Sequence, residues 1–186
     1  MKTNLSLTSR LVDASHYCIN AINFINERIG RHISWLTLLM VLVTFAIVVL
    51  RYVFDWGLIS MQETVTYMHV IVFMLGAAYT LKHNGHVRVD IFYQSYRPKT
   101  RAWVDFLGTL LLLLPVTEFI ISSSWDYVKD SWEIHEGSMN SGGLEGVYLL
   151  KTTIIIMACL LRLQAISMLL ENLLVALNLS PPKEMS

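Results

Sequence analysis

Charge is scarce: only 15% of the 186 residues are Asp, Glu, Lys or Arg, and the formal net charge is zero. With no basic excess to neutralise a phosphate backbone, nucleic acid is not expected as a partner. Cysteine is nearly absent. Cys18 and Cys159 stand far apart in apolar stretches, with no CxxC spacing and no histidine placed to complete a zinc site, so both read as small packing residues. A cleavable leader is not expected either, because the first apolar run begins only at Ile33 and is followed by Arg51-Tyr52 rather than by a small-residue cleavage site.

What the chain has in abundance is apolar sequence, 54% of it. Hydrocarbon about 30 Å thick needs roughly 20 helical residues to cross, with every backbone polar group bonded internally. Residues 33–50, 58–81, 102–128 and 147–170 meet that requirement, which predicts an all-α integral membrane protein of four transmembrane helices. Gly76 in the second span and Gly108 and Pro115 in the third have no counterparts in the first or fourth. Carriers built from internal repeats break their helices in corresponding halves, so this chain alone is not expected to be a carrier. A mild kink and close helix packing account for these three residues.

Lysine and arginine set the orientation. Lys2, Arg10, Arg28 and Arg31 precede the first span, and Lys82, Arg88, Arg97, Lys99 and Arg101 lie around the connection between the second and third. The other two connections offer Arg51 and Lys129, the latter among acids. Both termini, including the tail from residue 171 onward, are therefore expected in the cytoplasm. Residues 1–32 form a cytoplasmic segment holding one further element over 10–29. There Leu11, Ala14, Cys18, Ile22, Ile25 and Ile29 share one helical face, and Asp13, His16, Asn20, Asn23 and Glu27 the other. Gly30 is the expected stop. Such an amphipathic helix lies on the lipid surface or packs along a partner subunit.

Ionisable groups inside the spans are costly unless paired or facing water, so they mark structural pairs or partner contacts. Counting about 1.5 Å per residue from the span ends puts Glu63, Glu118 and Lys151 in one shallow outer layer, with Arg51 at the boundary itself. Asp105 and Arg162 fall together near the inner face. An ion pair between Glu118 and Lys151 is the resulting expectation. His83, His86 and Asp90 surround Asn84-Gly85, which favours a turn over a single metal-binding face. The roles left for His86, Arg88 and Asp90 are hydrogen bonds that fix the connection or contacts to a partner.

The order of Arg51-Tyr52-Val53-Phe54, then Glu63, then Gly76-Ala77-Ala78, then His86-Val87-Arg88-Val89-Asp90 resembles the small permease subunit of TRAP transporters, the DctQ family. The likeness runs from about residue 33 to about residue 170. It implies a non-catalytic scaffold subunit without cofactors in a tripartite, ion-gradient-driven organic-acid transporter of the bacterial inner membrane. Its partners would be membrane lipid, a large membrane subunit carrying the substrate and sodium sites, and a periplasmic substrate-binding protein, whose direct contact with this chain is left open. The alternative is a haem-b membrane anchor of a redox enzyme, raised by His69 with His32, His83 and His86. His69 lies near mid-span and the others near span ends, so matched depth on facing helices is lacking.

Overall fold

The computed structural model describes residues 2–86 and 93–181, apart from the side chains of 2–8 and 94. The described residues form five α-helices and no strand: α1 (Lys2–Val53), α2 (Ile59–Lys82), α3 (Pro98–Gly108), α4 (Leu114–Glu133) and α5 (Val147–Ala176). Four helical stretches are long and apolar enough to cross a membrane, with α3 and α4 together forming the third, Pro98–Glu133.

One expectation fails at once. Gly30 does not end a helix, because α1 runs unbroken through 52 residues, about 78 Å at 1.5 Å per residue. Isolated glycine within a helix costs only about 1 kcal/mol against alanine. Here it serves contact, since a Cβ on Gly30 would stand 2.7 Å from that of Tyr79. The amphipathic segment and the first span are thus one rod, braced where α2 meets it.

Helix ends follow a common rule. Asn84, His135 and Asn178 follow α2, α4 and α5 in the left-handed region, with φ of 53°, 48° and 57°. In each case the next amide closes back on the helix: Gly85 to Thr80 O, Glu136 to Ser131 O and Leu179 to Leu174 O. This satisfies carbonyls that would otherwise lack partners. The turn expected at Asn84-Gly85 is one of these closures.

The third span widens in its middle. Between α3 and α4 the residues Thr109–Leu113 form a π-turn, with the Leu114 amide reaching Thr109 O. Pro115 follows in the first turn of α4. Proline has no amide hydrogen, and its ring crowds the carbonyl four residues back, so the extra residue in the turn makes room for it.

Helix α5 is the hub, packing against α1, α2, α3 and α4. Small inward residues, Thr153, Ala158, Ala165, Ser167 and Ala176, allow close approach. By contrast, Leu38, Leu42 and Phe45 of α1 face away from the chain. Both cysteines are also exposed, against the expectation that they pack internally. Apolar sequence around a cysteine shows that it avoids water, and lipid or a partner satisfies that as well as the chain's own core does.

Candidate functional site

Polar side chains gather at three levels of the bundle. Towards the end where α1 begins and α5 finishes, Asn23, Asn26 and Glu27 of α1 turn inward, while Asp13, His16 and Asn20 of the expected polar face remain exposed. Asn26 Nδ2 donates to Gln164 Oε1 at 2.7 Å, and Gln164 Nε2 to Asn23 Oδ1 at 3.1 Å. Ser167 also donates to Asn23 Oδ1, and Asn23 Nδ2 to Glu171 Oε1. Asn26 is only 1% exposed, so this seam is sealed from its surroundings. One turn further, the Glu27 carboxylate meets Lys82 at 2.7 Å and His83 and Arg31 each at 2.9 Å. The seam binds α1 to α5, and Glu27 binds α1 to α2. Leu11, Phe24 and Ile25, on other faces of this stretch of α1, remain uncovered.

At the opposite end, Glu63 clasps the connection between α4 and α5. Its Oε1 accepts from Ser138 and from Asn140 Nδ2, and its Oε2 from the Leu144 amide at 2.7 Å. The clasp needs Gly143, where a Cβ would come 2.7 Å from Glu63 Oε2. Beside it Glu136 bonds Lys151 and Ser131. Lys151 holds the Glu136 carboxyl below the usual carboxylate range, with Ser131 contributing. The Lys151 ammonium also sits 4.0 Å from the centre of the Tyr127 ring. Trp132 Nε1 donates to Thr152 at 2.9 Å, further tying α4 to α5.

Between these ends Arg162 of α5 pairs with Glu118 of α4. The expected Glu118–Lys151 pair is therefore not formed, nor does Arg162 group with Asp105. Asp105 instead accepts from Tyr93. The expectation placed the third span over 102–128, whereas the helix runs from Pro98 to Glu133. Its longer C-terminal end sets Trp132 beside Thr152 and leaves Glu118 opposite Arg162. Lys151 and Arg162 lie about 16 Å apart along α5, too far for Glu118 to serve both.

The other candidates are spread out. Arg51 is exposed in the last turn of α1, where a cation complements the helix dipole. His86 is exposed at the edge of the described stretch. Arg88 and Asp90 lie outside the described residues. Among the histidines, His32 and His69 are exposed, and His83 is held by Glu27 and tilted against Tyr79 at 4.4 Å.

Four membrane-crossing stretches, ordered around α5 and tied by polar clasps at both ends, accompany a clear family match. Residues 40–175 match the model of the DctQ component of tripartite ATP-independent periplasmic transporters. The chain belongs to the DctQ family. It is also 29% identical over 103 residues to a Haemophilus influenzae protein described as a TRAP transporter small permease, an alignment covering 55% of this chain and 63% of that relative. The chain thus spans under two thirds of the length of the curated relative it matches. No solved structure matches it. Like its family, this DctQ chain is a transporter component and a multi-pass protein of the bacterial inner membrane.

Several polar residues of this DctQ bundle escaped the sequence reading. Gln164, Ser167 and Glu171 carry the α5 side of the seam. Their steps of three and four residues mark one helical face, and Asn23, Asn26 and Glu27, at i, i+3 and i+4, likewise share a face of α1. That was the available signal, but attention to charge alone passes over carboxamides.

Proposed function

We propose that this DctQ chain is the non-catalytic scaffold subunit of a tripartite, ion-gradient-driven uptake system for organic acids. In that arrangement a periplasmic binding protein delivers the carboxylate, and a large membrane subunit carries the substrate and sodium sites. The observation that carries the reading is the use made of polar groups inside the bundle. Asn23, Asn26, Gln164, Ser167 and Glu171 bond one another, and Glu63 and Glu136 bond the α4–α5 connection and Lys151. Groups spent in this way brace helices together, which suits a rigid surface against which a moving transport domain slides. No observation favours the haem-anchor reading. Reconstitution tests the proposal: the isolated chain in liposomes should move no organic acid above background, while addition of the large subunit and the binding protein restores uptake. Comparable uptake by the isolated chain would refute a scaffold role.

The same proposal places both termini in the cytoplasm, supported by the lysine and arginine distribution. Met139, at the tip of the α4–α5 connection, is 100% exposed, and Ser95 on the opposite connection is also exposed. With Cys18 and Cys159 replaced by serine, Met139→Cys should react with a membrane-impermeant thiol reagent in intact cells and Ser95→Cys should not. The reverse pattern would invert the topology.

A further inference from the structure

The Glu118–Arg162 pair differs from the other inter-helix ties in where it stands. Lys151 and Glu171 mark the two ends of the apolar part of α5, and Arg162 lies between them, about 16 Å from the first and about 13 Å from the second. Yet the pair is on the outside of the bundle, with the Arg162 side chain 47% and the Glu118 side chain 57% exposed. By comparison the Lys151–Glu136 pair near the end of α5 is better covered, at 15% and 26%. The deepest ion pair is thus the less protected of the two.

Lipid chains offer such a pair nothing. Among the described residues only one guanidinium nitrogen and one carboxylate oxygen are engaged, Arg162 Nη1 with Glu118 Oε2. The remaining donors of Arg162 and the Glu118 Oε1 lone pairs have no partner among the described residues, on two side chains that are both exposed. In hydrocarbon, unused polar groups call for cover from protein. The charges cancel, so a charged partner residue would leave its own charge uncompensated. A neutral side chain that both donates and accepts, a carboxamide or hydroxyl, satisfies both halves. Approach is open as well, because the exposed helical neighbours of the pair include Ser122 on α4 and Cys159 on α5, both small enough for a helix to pack closely.

The geometry points to the α4–α5 seam around Glu118 and Arg162 as the surface on which a transmembrane helix of the large subunit docks, presenting a neutral hydrogen-bonding side chain at mid-membrane depth. This inference rests on the scaffold reading and names the surface through which the scaffold acts.

The test uses the chain co-expressed with its large subunit in membranes. A benzophenone amino acid at Ser122 or Cys159 should, on irradiation, give an adduct with the large subunit identified by mass spectrometry. The double variant E118L/R162L should keep its thermal midpoint as an isolated chain in detergent, yet recover the large subunit at least ten-fold less well. Adducts confined to lipid or to a second copy of this chain, with wild-type recovery of the large subunit intact, would overturn this surface and leave the scaffold role standing. Undiminished recovery by a folded E118L/R162L chain would overturn it too. Should wild-type chain recover no large subunit, both proposals fall. If the double variant does not fold, the adducts alone decide.

Discussion

The first and last membrane-crossing stretches invert the relation between hydropathy and burial familiar from water-soluble proteins. The most apolar window of the α1 stretch has a mean hydropathy of 2.7 and none of it is buried within the chain. That of α5 reaches only 2.1, with 33% buried. In water the greasier helix would take the core. In lipid there is no such drive between helices, and association depends on small residues that pack closely and polar residues that bond. Hydropathy here records which helix faces lipid or a partner, while threonine, serine, alanine and glutamine mark the helix at the centre.

That contrast can be broken most severely at α5. Ala165 is 0% exposed, so Ala165→Leu forces extra atoms into filled space and should destabilise the isolated chain by about 1–3 kcal/mol in detergent unfolding. A neutral result would remove α5 from the centre. The next effect concerns polar bonding. Gln164→Leu leaves Asn26 Nδ2 unpaired at a buried site and should cost about 1–2 kcal/mol. Adding Asn26→Leu should recover part of that loss, and strict additivity of the two changes would separate these residues energetically. The smallest effect belongs to α1. Phe45 is 68% exposed, and Phe45→Ala should shift unfolding of the isolated chain by no more than about 0.5 kcal/mol. A loss as large as that at Ala165 would show that α1 contributes to the core after all.

Much of the architecture was legible from residue type. The four spans stand out because lipid demands long apolar helices, a local requirement that each segment meets by itself. The Asn84-Gly85 turn is equally local, since a left-handed residue followed by glycine closes a helix wherever it occurs. Gly30 shows the limit. Its sequence context reads as a stop, yet the helix runs on, and the glycine instead admits Tyr79, far along the chain, into the space a side chain would need. Pro115 shows another, for a single proline implies strain without specifying that a π-turn at Thr109–Leu113 relieves it.

The charged residues divide in the same manner. Sequence by itself determined that Glu63, Glu118, Lys151 and Arg162 would sit within helices that cross the membrane and would need partners, because an ionised group in hydrocarbon is costly alone. It determined the family as well, through an ordered set of short motifs. Only the tertiary structure decided the partners: Glu63 with the α4–α5 connection, Lys151 with Glu136, and Arg162 with Glu118. The reason is register. Hydropathy marks which stretches cross but not how α4 stands along α5, while each turn of slip moves a charge by about 5.4 Å and exchanges one partner for another.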